Sequence, residues 1–182
     1  MVGIDASIAL ALWVPDVPCS VHRAKERVEY LIQNLATRRE RILIPTPALA
    51  ELLVRAGKAG AEFTNLIEKS ARFQIAPFDT IAAIEVSLAI AAVKAAGGKK
   101  LKGSTDTWAK VKFDHQIVAI CKVKEVTVIY SDDTGLCRFA QSVGIRPVTL
   151  ADLPLPPEEM TLFSGLEDVP QVVQPTIVPE NI

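Results

Sequence analysis

Five short apolar segments separated by helical patterns constrain the fold more than any other feature of the sequence; they are MVGID, RILIPT, FQIAPF, VTVIY and IRPVTL. These segments are rich in β-branched and aromatic residues, and each is too short for a typical helix. Strands that alternate with helices form a parallel sheet joined by right-handed crossovers. The sequence therefore predicts an α/β domain with a five-stranded parallel sheet.

The alternating pattern fades after residue 150. With 182 residues, 49% of them hydrophobic, and a mean hydropathy of +0.27, the chain is long enough for one domain with a substantial core. Six of its twelve prolines fall between Pro154 and Pro179. We predict one domain over residues 1–150 and an extended Pro-rich tail over residues 151–182, with one helical turn near residues 157–163.

Charge and cysteine content exclude few functions, but the cysteines indicate the cellular compartment. The 20 Lys and Arg nearly cancel the 21 Asp and Glu, so net charge neither favours nor excludes a polyanionic partner. The three cysteines are odd in number and form no CxxC pair, which argues against a disulfide framework and a cysteine zinc site. The apolar run between Glu85 and Lys94 is too short to cross a bilayer. We predict a cytoplasmic protein with no membrane association.

Acidic residues cluster where the predicted strands end. Asp5 ends the first strand, and Asp132 and Asp133 directly follow the fourth. Asp114 is predicted to open the helix FDHQIVAICKVK, and Glu51 lies one turn into the helix after the second strand. The carboxyl ends of parallel strands meet at one edge of the sheet, where ligands bind. We therefore expect these carboxylates to face a common rim.

Carboxylates that converge without Lys or Arg repel one another, which raises their pKa values and costs stability unless a cation is bound. Hard oxygen ligands favour Mg²⁺ or Mn²⁺ over zinc. The sequence therefore predicts a divalent metal site, although structural roles stay open. Asp114 could cap its helix, Glu51 could face solvent, and Asp132 or Asp133 could cap the helix that begins near Thr134.

Four segments together resemble a PIN domain, the nuclease fold found in the toxins of VapBC toxin–antitoxin modules and in other ribonucleases. They are VGIDASIALALW, IPTPALAELLVRAG, FDHQIVAICKVKEVTVIYSDD and LCRFAQSVGIRPVTL. The resemblance rests on the order Asp, Glu, Asp, then Ser-x-Asp, and covers about residues 1–150. It implies the strand order 3-2-1-4-5 and an acidic pocket that binds Mg²⁺ or Mn²⁺.

The resemblance also implies roles for individual residues. The catalytic carboxylates that it implies are Asp5, Glu51, Asp114, Asp133 and, as a neighbour able to substitute, Asp132. Of these, the implied metal ligands are Asp5, Asp114 and Asp133. Ser7 and Ser131 are candidates for hydrogen-bonding groups that support the ligands.

The activity that the resemblance implies is metal-dependent cleavage of RNA that leaves a 5′-phosphate and a 3′-hydroxyl. It also implies a homodimer and, if the chain is the toxin of a toxin–antitoxin module, an antitoxin partner. Near the acidic pocket, Lys99, Lys100 and Lys102 could contact RNA phosphates, and Trp108 could stack on a base. A solvated loop with a half-buried Trp is the alternative.

A non-catalytic PIN-like binding or assembly module is the main alternative function. In that case the carboxylates would be intact, but the tail or a partner chain would cover the pocket. Metal-dependent activity of the isolated chain separates the two functions.

Overall fold

A computed structural model describes residues 1–14, 19–95 and 108–157. Its sheet contains five parallel strands. The strands are β1 (Val2–Ile4), β2 (Ile42–Pro45), β3 (Phe73–Ala76), β4 (Val128–Tyr130) and β5 (Arg146–Val148). Their order is β3-β2-β1-β4-β5, and every neighbouring pair is parallel. The predicted fold class and strand order are therefore confirmed.

Seven α-helices pack around the sheet within the described residues. They are α1 (Ala6–Trp13), α2 (Ala24–Thr37), α3 (Thr46–Ala56), α4 (Gly60–Lys69), α5 (Thr80–Ala95), α6 (Trp108–Val123) and α7 (Thr134–Ser142). A short 3₁₀ turn, Gly57–Ala59, joins α3 to α4. Among the described helices, none has the length and apolar character needed to cross a membrane.

Helix α6 begins six residues before Asp114, so the prediction that Asp114 opens the helix was wrong. The sequence before Asp114 gives a weak helical signal, because Lys110 and Lys112 interrupt its apolar residues. Its residue types, however, are compatible with a helix, and α6 already includes Trp108 to Lys112. Asp114 therefore lies in the second turn of α6 and cannot act as its cap.

Both faces of the sheet are buried, which explains why its strands read as continuous apolar runs. Alternate residues of β2 point to opposite faces: Ile42 and Ile44 pack in a core with α1 to α4, and Leu43 packs in a second core. The second core joins α6 and α7 to the sheet, with Ile129 of β4 at its centre. This layering holds the strand ends of one edge next to the first turns of several helices.

Gly3 lets α6 approach the central strand closely. A Cβ at this position would lie 2.9 Å from Sγ of Cys121 in α6, closer than real contacts allow. Glycine is therefore required for this packing, which brings α6, the helix of Asp114, against β1, the strand that leads to Asp5.

The packed chain continues past residue 150. Leu150 and Leu153 are buried in the core with α1 and α2, and the Arg27 guanidinium donates a hydrogen bond to the carbonyl oxygen of Leu153. Residues 158–182, and with them most of the predicted tail and its helical turn, lie outside the described residues.

Three helices that lead into strands end in the same turn. In α2, Glu40 N donates to Leu35 O (2.9 Å) and Arg39 N to Ala36 O (3.0 Å), which is a Schellman motif. The same pair of bonds ends α6 and α7. The residues in the left-handed conformation are Arg39 (φ 55°), Glu125 (φ 56°) and Gly144 (φ 86°). Only Gly144 is a residue that this conformation favours.

We predict that Arg39→Gly and Glu125→Gly each raise the free energy of unfolding by roughly 0.5–1 kcal/mol. Glycine relieves a left-handed strain of about 1–2 kcal/mol, and the greater freedom of the unfolded chain offsets part of that gain. Urea unfolding measures the change. Arg38→Gly is the control, because Arg38 has φ −84° and no such strain to relieve. Equal effects at positions 38 and 39 would contradict the assignment.

Candidate functional site at the carboxyl edge of the sheet

Asp5 lies at the centre of the carboxyl edge. It directly follows the central strand β1, and its backbone N–H donates to Tyr130 O of β4 (3.0 Å). Only 6% of the residue is exposed. It occupies the position before α1, but its side chain makes no capping bond to that helix. The buried carboxylate is therefore not explained by a capping role.

Two serine hydroxyls hold the Asp5 carboxylate. Ser131 Oγ donates to Oδ2 at 2.9 Å and Ser7 Oγ to the same oxygen at 3.3 Å. Each hydroxyl also accepts a backbone N–H: Ser7 from Asp132 (3.1 Å) and Ser131 from Asp133 (3.0 Å). These bonds connect the ends of β1 and β4 through the carboxylate of Asp5.

The electrostatic surroundings of Asp5 disfavour its ionised form. Burial raises the pKa of the Asp5 carboxyl above its ordinary value, and the negative charges of Glu51 and Asp133 raise it further. The backbone N–H of Ala6 and the hydroxyl of Ser131 both lower the pKa of Asp5 but do not reverse the shift. Within the described residues, Asp5 forms no ion pair with Lys or Arg.

The adjacent aspartates after β4 both make structural hydrogen bonds. Asp133 caps α7, because its Oδ1 accepts from Gly135 N (2.7 Å) and Leu136 N (2.9 Å). The exposed Asp132 accepts from Leu150 N through its Oδ1 (2.7 Å) and so ties the end of β4 to the segment after β5. The capping role that the sequence left open therefore falls to Asp133.

Glu51 lies on α3 with half of its side chain exposed, and its carboxylate is 3.5 Å from the guanidinium of Arg55. Asp114 is buried, with 8% of the residue exposed. Its neighbour His115 packs against the ring of Phe139, with 3.8 Å between ring centroids. Burial lowers the pKa of His115, which favours the neutral imidazole at neutral pH.

A further carboxylate, Asp152 of the predicted tail, acts on Cys137 near this edge. The Cys137 thiol donates to Ser131 O (3.3 Å), and its pKa is raised to about 11. Burial is the main cause, followed by the charges of Asp133, Asp5, Asp132 and Asp152. Asp152 thus adds to the negative potential of this edge. Its sequence position, beyond the last strand, gave no signal of that placement.

The structure brings Asp5, Glu51 and Asp133 within electrostatic reach of one another. Their oxygen donors have the chemistry that Mg²⁺ or Mn²⁺ prefers. In residues 1–14, 19–95 and 108–157, however, no three Asp, Glu, His or Cys side chains stand close enough together to hold a metal ion. The candidate RNA contacts Lys99, Lys100 and Lys102, and the side chain of Trp108, lie outside the described part of the chain.

No family model matches the sequence. A comparison with curated proteins also finds no match. Solved structures do resemble this one, and 18 chains match.

One is Mycobacterium tuberculosis VapC20, described as a Sarcin-Ricin loop cleaving toxin, with TM-score 0.53, 13% identity, and coverage of 80% of this chain and 96% of that one. A second is Rickettsia felis VapBC2 bound to a DNA fragment from its promoter, with TM-score 0.52, 14% identity and coverage of 82% and 98%. A third is DNA-bound VapBC from Salmonella typhimurium, with TM-score 0.51, 18% identity and coverage of 82% and 99%.

These similarities span nearly the whole of each neighbour and concern the arrangement of strands and helices, because few residues are identical. Together with the strand order and the acidic carboxyl edge, they settle the architecture: the chain has the VapC-like PIN-domain fold.

Proposed function

We propose that this chain is a cytoplasmic, metal-dependent endoribonuclease that hydrolyses RNA phosphodiester bonds at the carboxyl edge of its sheet. The observation that carries the proposal is the buried Asp5 carboxylate, whose ionisation is opposed by burial and by two other carboxylates. Strongly perturbed carboxyl groups at a sheet edge are typical of functional sites. The fold supports the proposal, since one structure with the same fold is a toxin described as cleaving the Sarcin-Ricin loop.

The proposed ion is Mg²⁺ or Mn²⁺, and the residues that would hold it are Asp5, Asp114 and Asp133. When bound, such an ion supplies Lewis acidity at the phosphate and lowers the pKa of a coordinated water. Binding would have to draw these side chains closer together than they stand here, because the described residues form no enclosed ligand set.

The protein's own groups have separate tasks in this proposal. Ser131 and Ser7 fix the orientation of the Asp5 carboxylate by donating hydrogen bonds to it. Glu51 is half exposed, and in this proposal it orients a water molecule or accepts its proton. The burial of Asp5 and Asp114 keeps bulk water away from the carboxylates that carry the charge.

The products and partners follow from the same proposal. Cleavage would leave a 5′-phosphate and a 3′-hydroxyl, and Lys99, Lys100, Lys102 and Trp108 would contact the RNA beside the pocket. The VapBC structures with the same fold support a toxin role with an antitoxin partner. The free thiols of Cys19, Cys121 and Cys137 support a reducing compartment.

An exposed apolar stripe on α5 supports a protein partner. Ile81, Ile84 and Leu88 recur at helical spacing, and 62%, 55% and 60% of these residues, respectively, are exposed. Exposed apolar patches of this kind mark interaction sites more often than chance positions. We propose that the stripe forms a homodimer, since a helix face can pack on its own copy across a two-fold axis. The same stripe would serve the alternative function, a non-catalytic binding module.

We predict that the purified chain cleaves a mixed single-stranded RNA with Mn²⁺ or Mg²⁺ but not with EDTA. Asp5→Asn and Asp114→Asn should each lower the rate by about 100-fold or more, because each removes a charge that the reaction needs. Gel analysis of end-labelled RNA measures the rate. Glu62→Gln, an exposed carboxylate on α4, is the control and should retain activity. No cleavage by the folded wild-type chain with either metal would favour the binding module.

In EDTA, we predict that Asp5→Asn raises the free energy of unfolding at pH 7. The raised pKa means that the ionised Asp5 carboxylate destabilises the folded state, and asparagine removes this cost while it keeps an acceptor for Ser131. The folded pKa lies above the unfolded one, so the wild-type chain recovers stability as pH falls through the folded pKa. The difference in the free energy of unfolding between Asp5→Asn and the wild-type chain should therefore shrink toward pH 4. A gap that is constant with pH would contradict the assignment.

We predict that Ile84→Glu combined with Leu88→Glu converts a dimer to a monomer, because the change buries charge at the proposed interface. Light scattering after size-exclusion chromatography measures the mass. Val54→Glu is the control, since Val54 is 82% exposed on α3 and lies outside the stripe. A wild-type chain that stays monomeric at high concentration would contradict the dimer.

A further inference from the structure

Arginines collect at the amino edge of the sheet, opposite the acidic edge. Arg38, Arg39 and Arg41 lie in the turn between α2 and β2, and Arg146 is the first residue of β5. All four are exposed. Arg41 O accepts a hydrogen bond from Val2 N (3.0 Å), and Arg146 N donates to Thr127 O (3.0 Å), so their backbones are fixed by the sheet. We call these four residues the arginine row.

The arginine row lacks internal charge partners. None of its members forms an ion pair with a carboxylate of the described residues. The carboxylate in the same turn, Glu40, is paired with the terminal amine of Met1 (2.8 Å). Glu125, in the turn before β4, is a further acid at this edge, and Lys124 precedes it. The row therefore presents a local excess of positive charge.

Two of the arginines, one in the turn after α2 and one on β5, act on the same side chain. The charges of Arg146 and Arg38 both lower the pKa of Tyr130, against the larger effect of burial. Arg41 and Arg146 stand at the starts of β2 and β5, which are three strand spacings apart, or roughly 14 Å at the usual separation. The row thus has two ends, the turn before β2 and the start of β5, which a partner with several charges can span.

Arg39 occupies its position at a conformational cost. Its φ of 55° lies in the left-handed region, where the equivalent turn after α7 has Gly144. Glu125 carries the same strain at the turn before β4, so the two positions can be compared directly.

The charge distribution of the whole chain points in the same direction. All 20 Lys and Arg precede residue 151, together with 15 of the 21 Asp and Glu. Residues 1–150 therefore carry a net positive charge even though the complete chain is nearly neutral. The four arginines of the row contribute to this excess.

We propose that the arginine row binds the sugar-phosphate backbone of single-stranded RNA, apart from the proposed cleavage site. This rests on the proposed function in so far as the bound RNA is the substrate. Arginine suits phosphate because its guanidinium can donate two parallel hydrogen bonds. The acidic rim repels phosphates, so an anchor on the opposite edge lets a longer RNA bind. Among the described residues, no large exposed apolar side chain lies in the turn of Arg38 to Arg41 or next to Arg146 in sequence, which favours a polyanion in water over a bilayer.

The test is binding of a fluorescein-labelled 20-nucleotide RNA by the full chain in EDTA, followed by anisotropy at several salt concentrations. The combined variant Arg38→Gln, Arg41→Gln, Arg146→Gln should bind about tenfold more weakly at 0.1 M salt. The slope of log K against log salt should become less steep by about 2, at roughly 0.7 for each lost phosphate contact. The matched control Lys25→Gln, Lys58→Gln, Arg138→Gln loses the same charge at exposed sites elsewhere and should stay close to wild type.

A second pair of variants separates binding from folding. Arg39→Gly should be more stable than wild type but bind RNA more weakly, whereas Glu125→Gly should gain stability without losing affinity. Equal RNA affinity for the row variant and its control, or no RNA binding by the wild-type chain, would overturn the proposal. Loss of binding to phosphatidylserine vesicles without loss of RNA binding would also overturn it. Because the binding assay contains EDTA and no metal, its result can be interpreted even if the chain has no nuclease activity.

Discussion

The Asp5 carboxylate, held between two serine hydroxyls, is the interaction on which this edge of the structure depends. Ser131 and Ser7 donate to one oxygen of Asp5 and accept backbone N–H groups from the residues after β4. The ends of the two central strands are therefore joined through a group that is costly to bury. A neutral acceptor would satisfy the same bonds without the cost of the charge. A carboxylate at this position is therefore explained by a role in chemistry and not by a contribution to stability.

The sequence predicted the architecture well because the signals for it are local. Short β-branched segments alternate with helices, and burial on both faces makes those strands continuously apolar, so the strand positions could be read directly. The strand order came from the family resemblance, since periodicity does not determine which strands are neighbours. The start of α6 was not predicted because Lys110 and Lys112 interrupt the apolar residues of its first turns.

The site was predicted less completely, for a physical reason. That Asp5 lies at the carboxyl edge follows from its position after β1, but its hydrogen bonds to Ser131 and Ser7 depend on how β1 and β4 pair. The use of Asp133 as a cap depends on where α7 begins. Asp152 adds its charge to the acidic edge because the segment after β5 folds back toward it, and no local sequence pattern predicts this position. The proposed metal ligands Asp5, Asp114 and Asp133 stay a prediction.

Diffraction from a crystal soaked in Mn²⁺ and measured at the manganese edge tests the central claim most directly. The account predicts an anomalous peak bound to Asp5, with Asp114 and Asp133 drawn toward it, and loss of that peak in Asp5→Asn. A well-ordered crystal with no peak near Asp5 at millimolar Mn²⁺, from a preparation that cleaves RNA, would contradict the claim that these carboxylates hold the catalytic ion.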